Sequence, residues 1–294
     1  MTTHAGLIGF LALLGAGWGL TGVLAKPIIE AGHHPFGVIF WQMAICVVVL
    51  GVLTRVRGKG LPIGWTHLPL YLFIALGGTL LPNTASYFAI AHLPAGIMAI
   101  IIAAVPMFAF PIALALGSER FELSRFLGLL AGMSGVALLA GPQAALPVGS
   151  AVWVLIALIA PLLYALEGNV VARFGTAGLD PIQTLLGASA IGVVLSAGLA
   201  QAAGGWVSPF GDWSPAKSLI VLSSVIHAFV YSGYVWLVGR AGASFAAQVS
   251  YLVTGSGVVW AMVLLGESYT GWVWGALGAM FLGLFLVQPR AFLD

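Results

Sequence analysis

A chain of 294 residues that is 61% hydrophobic and only 6% charged cannot be a water-soluble domain, in which about a quarter of the residues carry charge. Its 10 Lys and Arg against 8 Asp and Glu leave a net of +2, which marks no nucleic-acid or acidic partner and makes the placement of the charges the informative quantity. They sit almost entirely in short breaks between ten apolar stretches, each near the roughly 20 residues a helix needs to cross about 30 Å of hydrocarbon.

The first span is expected over 6–25. The tail before it, Met1 to Ala5, has no Lys or Arg, and no cleavage signature follows, so the span reads as a retained helix and not a leader. The second, 36–54, holds the single cysteine, Cys46, which leaves no disulfide framework and no thiolate metal site. The third to fifth are expected over 67–90, 95–117 and 125–141, and the second five over 151–172, 181–203, 217–238, 243–265 and 270–288. Pro82, Pro106, Pro111 and Pro161 and the Gly15, Gly17, Gly19 series do not argue against helix, because neighbouring helices re-satisfy freed backbone groups.

Threading the chain with its N-terminus in the cytosol places Arg55, Arg57, Lys59, Arg120, Arg125, Arg173, Arg240 and Arg290 inside and leaves Lys26 and Lys217 outside. The positive-inside rule then predicts both termini in the cytoplasm of a multi-pass protein of a bacterial inner membrane. Trp65, Trp153, Trp206, Trp213, Trp272 and Trp274 fall near predicted span ends, where indole rings favour the headgroup level. Trp18, Trp41, Trp236 and Trp260 fall within spans and need another reason.

Sliding the chain on itself by 146 to 148 residues aligns Trp18 with Tyr164, Pro35 with Pro181, Tyr87 with Tyr234, Glu119 with Glu267 and Gly135 with Gly283. Two units follow, 1–145 and 146–294. Five spans per unit is an odd number, so the second unit enters the membrane upside down. The predicted fold class is an all-α polytopic membrane protein of ten transmembrane helices in a 5+5 inverted-topology repeat, an arrangement many secondary transporters share.

Each unit opens on an aromatic-small pair, Trp18-Gly19 or Tyr164-Ala165. Each closes on Gly-x-Glu or Gly-Glu before a Gly-rich helix. Together with Pro106 in the fourth span, these features resemble the EamA unit of the drug/metabolite transporter superfamily over essentially the whole chain. The resemblance implies a ten-helix transporter of small organic metabolites, commonly an exporter, and it is compatible with the branch that exports aromatic and other neutral amino acids. Two positions depart from the family pattern: Trp41-Gln42 stands where the family often has Arg, and Val253-Thr254 stands where Pro would match Pro106.

Polar groups within spans are costly and usually face the bundle interior or a wet cavity. Asn83 and Tyr87 share a face of the third span, and His227, Tyr231 and Tyr234 share one of the eighth. Tyr164 and Glu167 share a face of the sixth span, Gln248 and Tyr251 one of the ninth, while Trp18 and Gln42 are mid-span in the first and second. The substrate-binding set is therefore Trp18, Gln42, Asn83, Tyr87, Tyr164, Glu167, His227, Tyr231, Gln248 and Tyr251, with hydrogen-bonding groups between aromatic faces, as a zwitterionic or aromatic solute requires. The competing reading of each alone is interhelical glue. Glu167, the one acidic residue clearly inside a span, would meet a proton or the solute's ammonium, and His227 is the other titratable candidate.

Gly128 with Gly132, and Gly271 with Gly275, have the spacing that lets helices approach closely, within the chain or in a dimer. A monomer and a dimer are both compatible with the sequence. No Gly-x-Ser-x-Gly, His-Glu-x-x-His, Walker or dinucleotide loop occurs, and Asp180, Asp212 and Asp294 lie outside the spans, so no enzyme, metal or cofactor is expected. A channel would need rings of charge or carbonyl filters that the chain does not supply. The expected function is secondary export of a small solute, an amino acid or similar metabolite, by alternating access. Other small metabolites or drugs are the alternative cargo.

Overall fold

The computed structural model describes residues 4–140, 149–241 and 248–287. Arg290, Asp294, the expected start of the ninth span at 243–247 and the boundary between the two units lie outside the described residues. Ten apolar helices follow one another: α1 (His4–Glu30), α2 (Pro35–Val56), α3 (Leu68–Ile90), α4 (Ala95–Ala115), α5 (Leu123–Ala140), α6 (Ser150–Phe174), α7 (Pro181–Ala202), α8 (Pro215–Ala241), α9 (Val249–Leu265) and α10 (Gly271–Val287). Seven are long and apolar enough to cross a membrane outright, and α5, α9 and α10 are shorter apolar helices. The chain is a polytopic helical membrane protein.

Three spans depart from regular helix, each at a place dictated by proline. A proline ring collides with the carbonyl four residues before it. α4 breaks after Ile102, four before Pro106, and α6 breaks after Ala157, four before Pro161. In α3 the disturbance is a π-helical turn, Ala75–Leu80, around Gly78, four before Pro82. These prolines leave the spans helical, as expected, but redirect them at mid-length.

The paired landmarks of the repeat are helix caps. His34 Nδ1 accepts the Phe36 N–H at 3.3 Å at the head of α2, with Pro35 in the first turn. Asp180 accepts the Ile182 N–H at 2.9 Å at the head of α7, where Gln183 returns a bond to the Asp180 N–H and Pro181 follows the cap. Proline in this position loses no hydrogen bond and pre-sets the helical φ.

Packing between the five-helix units obeys an exchange rule. α1 packs on α8 and α9 while α6 packs on α3 and α4; α2 packs on α7 and α8 while α7 packs on α2 and α3. α4 meets its counterpart α9, and α5 meets α10. Counterparts run antiparallel: Trp41 near the start of α2 donates to Val207 O beyond the end of α7 at 2.8 Å, and Arg57 at the end of α2 bonds Asp180 at the start of α7. Glu267, just past the end of α9, accepts the first N–H groups of α4 from Ala95 and Gly96 at 2.6 and 3.0 Å. The arrangement is a 5+5 inverted repeat.

The largest buried cluster joins α1, α3, α4, α6, α9 and α10 through Val23, Leu93, Ile97, Ile100, Ile101, Val154 and Met280. Gly128 and Gly132 of α5 press against Gly283 of α10, where an added Cβ would lie 2.7 Å from the Gly128 carbonyl. That close approach serves the contact between units. At Gly271 nothing approaches, and at Gly275 the nearest neighbour is Leu138 at 4.0 Å.

Candidate functional site

Where α2, α3 and α6 converge, four of the predicted side chains form one hydrogen-bonded chain. Gln42 is buried, and its Oε1 accepts from Asn83 Nδ2 at 3.2 Å and from the Tyr87 hydroxyl at 3.0 Å. The Tyr164 hydroxyl donates to Asn83 Oδ1 at 3.0 Å. Tyr87 follows Asn83 by four residues and so shares its face of α3, while Gln42 and Tyr164 reach in from the flanking helices. Satisfied in this way, the amides avoid the cost of unpaired polar atoms in an apolar interior.

Glu167 lies one turn along α6 from Tyr164 and is directed at the π-helical turn of α3. A Cβ added at Gly78 would stand 3.0 Å from the Glu167 carboxyl carbon, so glycine there leaves the space the carboxylate uses. Among the described residues no hydrogen bond or ion pair reaches this carboxylate. π-helical turns widen a helix by one residue and are frequent at functional positions.

Facing this polar chain is an aromatic group from α1 and α8. The Trp18 ring meets Tyr231 edge-on at 5.8 Å and Tyr234 at 5.2 Å, and His227 lies 6.0 Å from Tyr231. Residues 227, 231 and 234 lie on one stripe of α8, and Trp18 is held in place from behind. Ser256 of α9 donates to Gly15 O at 3.0 Å and Trp260 to Ala16 O at 3.0 Å, fixing the α1 backbone just before Trp18. The Tyr231 phenol is within electrostatic reach of Glu167, Tyr164 and Cys46, which joins the two groups.

Eight of the ten predicted residues thus gather around one locus: Trp18, Gln42, Asn83, Tyr87, Tyr164, Glu167, His227 and Tyr231. Gln248 and Tyr251 do not join them in any described contact. Gln248 caps the start of α9 and is exposed, and the Tyr251 ring lies 6.0 Å from Phe281 of α10 with its hydroxyl buried and unpartnered. The expected span from 243 would have placed both deeper in the bilayer, whereas α9 begins at Val249.

Lys26, Ser256 and Trp260 were not in the predicted set. Ser256 and Trp260 act through α1, and their only trace in the sequence is a polar or indole group inside an apolar span. Lys26 donates to Ile90 O and Leu93 O at 2.8 and 3.1 Å, the carbonyl end of α3, and pairs with Glu30 at 3.1 Å. A cation at a helix C-terminus is favourably placed against the dipole. Of the other in-span indoles, Trp41 is accounted for by its bond to Val207 and Trp236 by an edge-on contact with Phe10 at 5.3 Å.

The Lys26 end of the bundle, where α1 and α3 finish and α2 and α4 start, is sealed. Ile28, Val38, Val207 and Ile220 close over it as a buried cluster. Glu267 caps α4 there, and the Tyr269 hydroxyl donates to the same carboxylate, with burial first and that bond second holding the phenol protonated. At the opposite, Arg57 end, Arg57 bonds both oxygens of Asp180 at 3.0 and 2.7 Å and Lys59 adds a third contact at 2.8 Å. The Arg57 bonds hold the Asp180 carboxyl well below the usual carboxylate range, against the upward push of desolvation, with Lys59 and the Ile182 N–H adding to the lowering. Phe174, at the tip of α6 on this side, is 73% exposed.

Among the described residues no group of three or more His, Cys, Asp or Glu could hold a metal ion. The site can hydrogen-bond, stack and present one negative charge.

The model of the EamA-like transporter family matches residues 6–141 and again 151–288. Sixteen chains among solved structures are similar, and one of them, a crystal structure of a protein, aligns over 98% of this chain and 98% of its own. Its TM-score is 0.64 at 16% identity, a likeness of fold alone. No curated protein matches the sequence. With one family model matched twice over nearly its whole length, this chain belongs to the EamA-like transporter family.

Proposed function

We propose that the protein is a secondary carrier that exports small organic solutes, amino acids with aromatic or neutral side chains foremost, across a bacterial inner membrane. The observation that carries this reading is the joining of a polar chain from α2, α3 and α6 to an aromatic wall from α1 and α8, at the seam between two antiparallel units. A solute held there touches both units, 1–145 and 146–294, and so couples its binding to their relative tilt.

In the described state the Lys26 end is closed. With the chain ends in the cytosol, that is the external end, and solute enters from the cytoplasmic, Arg57 end. The amide and phenol groups of Gln42, Asn83 and Tyr164 bind its polar head while the rings of Trp18, Tyr231 and Tyr234 take its apolar or aromatic body. Rocking at the breaks before Pro106 and Pro161 and at the π-helical turn would release Lys26 from the end of α3 and close the Arg57 end.

Counterflow in proteoliposomes tests the reading. Unlabelled phenylalanine or tryptophan inside should accelerate uptake of the labelled amino acid from outside, and Gln42→Leu with Tyr164→Phe should slow it at least about tenfold, the cost of losing two hydrogen bonds in a desolvated site. Uptake that is indifferent to unlabelled solute on the opposite side indicates a pore and sinks the carrier mechanism.

A further inference from the structure

Glu167 sits uncompensated in the middle of this site. It is the one acidic side chain within the part of α6 that faces the polar chain, and among the described residues neither a hydrogen bond nor an ion pair reaches it. Lys26, the one lysine within α1, spends its ammonium on two carbonyls and on Glu30. Arg57, Lys59 and Arg173 lie at the ends of α2 and α6 or just beyond, and Arg57 and Lys59 are committed to Asp180. A carboxylate within a span with no partner calls for a cation from outside the protein.

The surroundings specify the kind of cation. Around Glu167 are the phenols of Tyr164 and Tyr231 and, beyond Tyr231, the Trp18 indole. Aromatic faces attract organic cations through their quadrupoles, most strongly once both are desolvated. Tyr164 and Tyr87 spend their hydroxyl protons inside the amide chain, so their oxygens turn lone pairs to the site and reinforce its acceptor character.

We propose that Glu167, Tyr164, Tyr231 and Trp18 form a recognition site for an organic ammonium group, and that a solute needs no carboxylate to occupy it. The inference rests on the carrier reading and narrows its substrate class. An amino acid is held by its ammonium end and brings a carboxylate that finds no cation in the site. The corresponding primary amine brings the same ammonium and ring without that desolvated charge. Amines should therefore bind more tightly than their parent amino acids.

Equilibrium binding to the purified full-length protein in detergent, where passive leak across a bilayer plays no part, tests this with labelled tryptamine against tryptophan and phenethylamine against phenylalanine. Each amine should bind at least about tenfold more tightly than its amino acid, the scale expected for one uncompensated charge in a partly wet site. Glu167→Gln should abolish the difference while Glu167→Asp keeps most of it, with gel filtration confirming that both variants remain monodisperse. Equal or tighter binding of the amino acids to the wild-type protein overturns the proposal without any variant, and so does an amine preference that survives in a folded Glu167→Gln protein. The carrier reading fails separately: if either member of a pair binds but neither shows counterflow, the protein is not carrying it. Absence of binding by all four compounds overturns the proposed recognition site itself.

Discussion

The two ends of the bundle are closed by different chemistry. At the Lys26 end the cross-helix bonds run from side chains to backbone groups: Lys26 to the carbonyls ending α3, Trp41 to the Val207 carbonyl, and Glu267 to the first amides of α4. These bonds are part-buried and surrounded by apolar side chains. At the Arg57 end, the join between α2 and α7 is a charge cluster in which the Arg57 and Lys59 side chains are 40% and 45% exposed. Water and salt screen such a cluster, while a bond to a buried backbone group must be replaced or left empty when the end opens. The Lys26 end should accordingly be the costly one to disturb.

Gly37→Ala should have the largest effect. The new Cβ would lie 2.3 Å from the Gly205 carbonyl, a backbone atom that cannot swing aside, and the start of α2 would have to lift off the α7–α8 connection at a cost of about 3 kcal/mol. Thermal unfolding in detergent measures it. Next is Glu267→Ala, which leaves two amides of α4 and the Tyr269 hydroxyl without their acceptor and should cost about 2 kcal/mol by the same assay. Lys26→Met keeps the stem and removes the charge, for about 1.5 kcal/mol. Its more telling signature should be faster labelling of cysteines introduced near Val207, because the seal is loosened without the helices being unfolded.

Arg57→Ala should have the smallest effect, under about 1 kcal/mol and shrinking further in high salt. Its pH dependence has a definite sign. The Asp180 carboxyl is held below its unfolded value, so the link contributes fully above about pH 4 and is lost as the pH falls from there through the lowered folded-state value. A loss from Arg57→Ala as large as that from Gly37→Ala would erase the distinction between the two ends.

The repeat was legible because the caps and helix breaks that enforce it are written in local residues. Pro35 and Pro181 each follow a capping side chain, and Pro82, Pro106 and Pro161 mark the irregular turns four residues back. The partners within the site were less legible. That Asn83 shares a face with Tyr87 follows from helical periodicity, but that both point at Gln42 depends on how α2 leans on α3, which no local pattern encodes. Gln248 and Tyr251 went astray for the opposite reason: an apolar run set the span from 243, whereas the described helix starts at Val249. Lys26 was read as a residue near the outer surface. Its role depends on the end of α3, more than sixty residues away in the chain.

The widened turn at Ala75–Leu80 gives α3 one residue more than a regular helix of its rise would hold. Removing a single residue there would restore ordinary winding and swing everything beyond it by roughly 100°, carrying Asn83 and Tyr87 off Gln42 while Tyr71 stayed put. The cargo preference of this protein is thus tied to a count of backbone units as firmly as to any side chain. A relative with one residue fewer in this stretch could keep every lining residue and still present a different surface to its cargo.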